Sequence, residues 1–436
     1  MQIGLRIWAL TCTILLSALP CVGDTSPAGG RNVILWISVD GFRGDYVDRG
    51  KTPFLQSLME HGLHSRELIP VFPSLTFPSH VSEATGVQPG VHGIISNKFL
   101  EVATGEEFNL STRPQALRAE PIWFTATRQG VRTAVIDWPL SEGQEQLPAG
   151  SLRTAYYNVE FDPELTDRER LGQLVDKYRA DFAAVPNGPP LQLLMGYAYG
   201  VDKAGHKKGP QSSEVDAAIG EIDQLLFQIV GQAAKVFEEH MDPAAGDKLW
   251  ILITTDHGMS AVEHVVSVEH LMGVDEGPES ALATTSGGTA NIYLHHAPAS
   301  QRAALTEQIL ANVRKFPFAS AWSRAELPAK YGYDAPGRTG DIVISLDKGY
   351  TFGWREGLTI AAVDEDRDFP RGMHSYDPAA DKEMRGVFVL ARWGSKAPGQ
   401  DIGPFDSLRI HPTVARLLGI KPAEGATAEP LDVDEM

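Results

Sequence analysis

Three short stretches of this chain, with one aspartate upstream of them, carry carboxylates and imidazoles at spacings that could hold metal ions. Asp202-Lys203-Ala204-Gly205-His206 sets the two groups four residues apart, Thr254-Thr255-Asp256-His257-Gly258-Met259 sets them side by side, and Arg371-Gly372-Met373-His374 adds another imidazole. Taken singly each is weak, because an Asp/His pair four apart is commonly a surface helix pair. Together, hard carboxylate oxygens mixed with borderline imidazole nitrogens are the ligand set of zinc. Upstream of the three stretches stands a hydroxyl, Thr76, in the run Phe72-Pro73-Ser74-Leu75-Thr76-Phe77-Pro78-Ser79-His80. A threonine hydroxyl is a poor nucleophile at neutral pH, and coordination to such an ion favours its alkoxide.

The elements that must position these groups are legible around them. Asn32 to Val39 is a nearly continuous apolar run with β-branched residues, as in a strand buried on both faces, and it delivers Asp40 to its carboxyl end. Further strands are expected at Arg132 to Ile136, Leu191 to Met195, Leu249 to Thr254 and Gly386 to Ala391. Thr52-Pro53 opens a helix, and Val215, Ile219, Ile222, Leu226 and Ile229 recur at helical spacing. Alternation of this kind gives an α/β layered fold, in which ligands sit beyond the carboxyl ends of strands. Asp40 and Asp256 both fall there.

From about His264 to Pro370 the alternation loosens, with short strands at Ala290 to Leu294 and Asp341 to Leu346 and an amphipathic helix from Ser300 to Lys315. We expect a small cap subdomain at 264–370, inserted between two parts of one catalytic domain, 32–263 and 371–436. A last helix runs from Pro412 to Leu418 and stops at Gly419.

Residues 1–23 read as a secretory signal peptide: Arg6, an apolar stretch from Ile7 to Leu19, then small residues up to Gly23. Residues 24–31 read as a linker, and the mature chain is expected to be secreted or periplasmic without a membrane span. Pro20 argues against a lipid anchor on Cys21; Cys12 and Cys21 both lie in the leader, so no disulfide framework remains. The 436 residues are 43% hydrophobic and 22% charged, as in an ordinary globular protein. The 38 basic and 56 acidic residues give a formal charge of −18, which opposes binding of a long nucleic acid. A small phosphorylated substrate remains compatible, since two divalent cations would neutralise its site locally.

Several motifs stand in one order: Val39-Asp40-Gly41, Phe77-Pro78-Ser79-His80, His92-Gly93-Ile94, Pro121-Ile122-Trp123, Gly205-His206-Lys207-Lys208-Gly209-Pro210, Asp256-His257-Gly258-Met259 and Leu417-Leu418-Gly419-Ile420. On these the chain resembles the nucleotide pyrophosphatase/phosphodiesterase family of the alkaline phosphatase superfamily. The resemblance implies an alkaline-phosphatase-like layered sandwich with a mostly parallel central sheet flanked by helices. It implies two Zn2+ per chain, the first held by Asp202, His206 and His374 and the second by Asp40, Asp256 and His257, with the Thr76 oxygen as a further ligand. Asn97 would hydrogen-bond a phosphoryl oxygen, while Phe77 and Tyr197 would line the leaving-group pocket. The implied reaction is hydrolysis of nucleotide phosphodiester or pyrophosphate bonds through a phosphothreonine.

Two departures leave the leaving group open. Tyr199-Gly200-Val201 stand where many relatives have an acidic pair and a proline, and Lys203-Ala204 replace small polar residues. Choline-type phospholipid or glycerophosphodiester headgroups are therefore the alternative substrate class, and phosphonoacetate a lesser one. A non-catalytic metal-binding protein would be expected to lack a ligand or the nucleophile, and none is missing. Other residues carry plainer expectations: His80 and His92 as structural histidines, His295-His296 as a solvated pair, Trp123 and Trp138 as core, and Tyr156-Tyr157 as core or a stacking platform.

Overall fold

Strand β1 (Asn32–Val39) is buried along nearly its whole length because apolar layers cover both of its faces. Val33, Leu35, Ile37 and Val39 enter one cluster and Ile34 and Trp36 the other, as the two-residue strand period requires. The computed structural model describes residues 30–143, 155–158, 160–186, 188–273, 281–353, 357–363 and 369–433; the expected leader at 1–23, with Cys12 and Cys21, and most of the linker at 24–31 lie outside them.

The central sheet adds β2 (Gly62–Ile69), β3 (Arg132–Ile136), β4 (Ala155–Tyr157), β5 (Leu191–Ala198), β6 (Lys248–Thr254) and β7 (Gly386–Arg392), in the spatial order β2-β7-β6-β1-β5-β3-β4. Two short strands, Gln400–Asp401 and Phe405–Asp406, lie outside β2. Parallel pairing joins β6, β1, β5, β3 and β4, whereas β7 runs antiparallel to both β2 and β6. The sheet is thus mostly parallel.

Helices α1 (Thr76–Thr85), α2 (Asp167–Ala184), α3 (Gly200–Lys208), α4 (Ser213–His240) and α5 (Ile410–Leu418) belong to the layers around it. In α4 the residues Val215, Ile219, Ile222, Leu226 and Ile229 are all buried in one apolar cluster. Ser212 caps its start by accepting the Val215 N–H at 3.3 Å. On the opposite face of the sheet α5 buries Ile410, Val414 and Leu417 and ends at Gly419, whose φ of 68° is the left-handed conformation that a helix stop favours.

A second, antiparallel sheet has the order Leu282–Ser286, Thr289–Tyr293, Ile342–Leu346, Ala319–Ser323. With the helix Ala299–Val313 it encloses its own apolar cluster, including Ile292, Ile309, Leu310 and Ile344. The strand Ser260–Val266 runs through the expected boundary at 263/264 and pairs with Gly349–Phe352 and with Gly372–Met373. This region docks against the approach to Thr76: Tyr331 stacks on Phe72 with ring centroids 4.0 Å apart, and Arg338 Nη1 donates to Gly93 O at 2.9 Å. No helix among the described residues is long and apolar enough to cross a membrane.

Candidate active site with two adjacent ligand sets

Thr76 is the first residue of α1, half-buried, with its Oγ1 3.3 Å from His257 Nε2. Leu75 occupies the cap position and offers no side-chain acceptor to the first-turn N–H groups. Asn97 Oδ1 takes one of them, the Phe77 N–H, at 3.0 Å, which leaves the amino group of that amide as a donor. Helix start, hydroxyl and amide therefore converge on one spot, as suits an anion.

Around the hydroxyl the strand ends supply carboxylates, each with one oxygen committed and one spare. Asp40, directly after β1, accepts the Tyr197 hydroxyl on Oδ2 at 2.5 Å, and its buried Oδ1 has no hydrogen-bond partner. Asp256, just beyond β6, accepts the N–H groups of Gly41 at 3.1 Å and His257 at 2.9 Å on Oδ1, and its buried Oδ2 is likewise unpartnered. Asp202 on α3 leaves Oδ1 in the same condition. Burial first, then the neighbouring carboxylates, pushes Asp40 and Asp256 well above the ordinary carboxylate range.

The imidazoles follow a single rule. His206 Nδ1 bonds Gly372 O at 2.8 Å, His257 Nδ1 bonds Gly258 O at 2.9 Å, and His374 Nδ1 bonds Ser74 O at 2.9 Å. A carbonyl can only accept, so in each ring Nδ1 carries the hydrogen and Nε2 presents a lone pair. Those lone pairs meet: His206 Nε2 and His374 Nε2 are 3.1 Å apart, and the His257 and His374 rings stack at 3.6 Å. Burial, reinforced by His257 and His206, holds His374 well below its ordinary value.

Among the described residues, two groups of ligand atoms fall within 4.8 Å of one another: Asp202 with His206 and His374, and Asp40 with Asp202 and His257. Asp256 Oδ2 lies 3.0 Å from His257 Nε2, beside the second group. Asp202 thus stands between the two. Orphaned carboxylate oxygens facing imidazole lone pairs are a donor set that fits divalent cations.

The ten residues singled out in the sequence come together here. Phe77 is nearly buried and packs edge-on against Phe108 with ring centroids 5.6 Å apart. Tyr197 is 7% exposed and spends its hydroxyl on Asp40, a contact that a strand residue one place from its end does not announce in sequence. The other histidines have structural partners: His80 Nδ1 donates to Thr76 O at 2.8 Å and its Nε2 meets Ser38 Oγ at 2.8 Å, and His92 meets Ser82 Oγ at 2.9 Å and the Ile94 N–H at 3.1 Å. Burial pushes both down to about 3, so both are neutral. Trp123 and Trp138 are core, Tyr156 donates to Asp181 at 2.9 Å, and His295 and His296 belong to neither ligand group.

Gly41 makes the approach of β1 to α3 possible. Its φ is +66°, and a Cβ there would lie 2.9 Å from Asp202 Cα. We expect Gly41→Ala to carry about 1–2 kcal/mol of backbone strain and to push Asp202 away from the cluster, lowering bound metal and thermal midpoint together. Metal content that stays at the wild-type level would contradict this.

Comparison with known proteins gives the same neighbourhood throughout. The family of type I phosphodiesterases and nucleotide pyrophosphatases matches residues 34–377. An uncharacterized pyrophosphatase/phosphodiesterase of Schizosaccharomyces pombe is 28% identical over 440 residues, covering 96% of this chain and 84% of that protein. The bis(5'-adenosyl)-triphosphatase ENPP4 of Bos taurus is 24% identical, covering 92% and 81%. Among solved structures, murine ectonucleotide pyrophosphatase/phosphodiesterase 5 in complex with AMP superposes with a TM-score of 0.72 at 21% identity, over 90% of this chain and 96% of that one. That likeness speaks for the fold.

Proposed function

The chain belongs to the type I phosphodiesterase and nucleotide pyrophosphatase family, and from that premise we propose that it is an exported two-zinc hydrolase of nucleotide phosphodiester or pyrophosphate bonds, with Thr76 as nucleophile. The observation that carries this reading is the Thr76 hydroxyl, 3.3 Å from His257 Nε2, at a helix start that its own cap residue leaves without a side-chain acceptor, with three unpartnered carboxylate oxygens in the same cluster. Asp202, His206 and His374 would hold one zinc, and Asp40, Asp256 and His257 the other. When bound, zinc supplies Lewis acidity and positive charge where the substrate is anionic.

The chain's own residues account for the rest of the reaction. Thr76 Oγ1 attacks phosphorus in line with the scissile bond, forming a phosphothreonine ester, while the departing oxygen takes the bonding electron pair and the threonine proton. Water then attacks the same phosphorus, threonine is restored, and the phosphate monoester leaves. The Asn97 amino group and the open start of α1 bind a phosphoryl oxygen throughout. Phe77 supplies an apolar wall for the organic group of a diester. Residues 264–370 act as an inserted cap, a role supported by their separate apolar cluster and their docking through Tyr331 and Arg338.

The surroundings of the Tyr199 ring favour nucleotides over choline-type headgroups. A quaternary ammonium seeks an open aromatic face, and the Tyr199 ring already has Lys203 Nζ at 5.6 Å and the Arg170 guanidinium at 5.4 Å. We expect kcat/KM on a p-nitrophenyl diester of thymidine monophosphate to exceed that on p-nitrophenyl phosphorylcholine and on p-nitrophenyl phosphate. Faster turnover of the monoester would end the diesterase reading, and faster turnover of the choline ester would replace the substrate class.

A further inference from the structure

Helix α3, which carries Asp202 and His206, is a weak helix by itself. It has nine residues, includes Gly200 and Gly205, each about 1 kcal/mol worse than alanine in a helix, and begins after Tyr199, whose side chain makes no cap. Its far end is tied down: His206 Nδ1 bonds Gly372 O at 2.8 Å, and Arg371 N donates to His206 O at 2.7 Å. Its start is held by another element altogether.

Asp167 reaches over from the first residue of α2. Its Oδ1 accepts the Tyr199 N–H at 3.0 Å and its Oδ2 accepts the Gly200 N–H at 2.9 Å, so one carboxylate bridges two of the open N–H groups of α3. The fit is close, since a Cβ on Gly200 would lie 2.7 Å from Asp167 Oδ2. Helix α2 does not need this carboxylate for its own start. Thr166 and Glu169 already form a reciprocal cap there, with Glu169 N donating to Thr166 Oγ1 at 3.3 Å and Thr166 N to Glu169 Oε2 at 2.9 Å. The anchor is also rigid, because α2 buries Leu171, Leu174, Val175 and Tyr178.

Asp202 follows Gly200 by two residues and His206 by six, on a rod that turns about 100° per residue. A slip of one residue at the start of α3 would swing both ligands off His374. We propose that Asp167 is a positioning residue for the ligand set Asp202, His206 and His374, fixing the phase of α3 from the first turn of α2. This rests on the two-metal reading above.

Titration of metal-free protein with zinc against a chelating indicator tests it. Wild type should show two binding steps; Asp167→Ala should weaken one step by about 10- to 100-fold, the usual effect of losing a residue that orients a ligand, and leave the other within about twofold. Asp167→Asn, which keeps one acceptor and is the milder change for folding, should fall between the two. A purely structural role would lower the thermal midpoint and leave both steps unchanged, and that result overturns the inference while the two-metal reading stands. Wild type that takes up no divalent metal overturns the two-metal reading, and this inference with it.

Discussion

Thr76→Ala should fold, keep its metal and lose turnover. Its kcat/KM on the best diester should fall by at least about 1,000-fold, or about 4 kcal/mol of barrier, because the proposed attacking oxygen is removed. The cost to the fold is small by comparison. The side chain is half-buried and makes one long contact, 3.3 Å to His257 Nε2, so its removal costs at most about 1 kcal/mol. Activity and stability are therefore separable at this residue, which is seldom so for a fully buried carboxylate such as Asp256.

Two controls sharpen that result. Thr76→Ser keeps an oxygen at the start of α1 and should retain part of the activity, since Asn97 and the Phe77 wall are untouched. Acid quenching of the wild-type reaction with substrate labelled at phosphorus should trap label on the chain, and the alanine variant should trap none. Alanine protein that keeps a tenth or more of wild-type activity would remove Thr76 from the mechanism.

What the sequence could show depended on how locally each feature is written. Strand β1 and Asp40 were legible because an apolar run ends in a charged residue, and the periodicity of α4 because five apolar residues repeat over four turns. Strand β2 was not. Its Gly-Leu-His-Ser-Arg-Glu-Leu-Ile reads as polar, since it lies towards one side of the sheet and only partly inside. The antiparallel direction of β7 is equally silent, because direction is a property of the connection and not of the residues. Within the site, the ligand types could be read from chemistry and from the family resemblance. The contacts that aim them could not: the Tyr197 hydroxyl meets Asp40 across 157 residues, and Asp167 meets Gly200 across 33. Neither partner carries a local signature, since a tyrosine in a strand and an aspartate at a helix start are both ordinary.

The same convergence makes the metal-free protein a pH-sensitive one. Asp40, Asp256 and Glu83 are fully buried and pushed well up, chiefly by burial, so the folded metal-free chain holds protons that the unfolded chain releases above about pH 4. Folding then weakens as pH rises, by about 1.4 kcal/mol per unit for each group. Buried histidines act in the opposite sense. His80 and His92 are pushed down to about 3 and His411 to about 4, so between there and about 6.5 the unfolded chain binds the extra proton and stability rises with pH. The two trends oppose each other below about pH 6.5, and above it the histidines no longer contribute. Metal bound at the proposed sites would replace the protons on Asp40 and Asp256, and at a thousandfold excess over its dissociation constant would contribute about 4 kcal/mol per site. We therefore expect chelation to lower the thermal midpoint by on the order of 10 °C at pH 8 and by much less at pH 5.5, with zinc restoring it. A gap between loaded and metal-free protein that stays the same at both pH values would mean that these carboxylates do not face the metal.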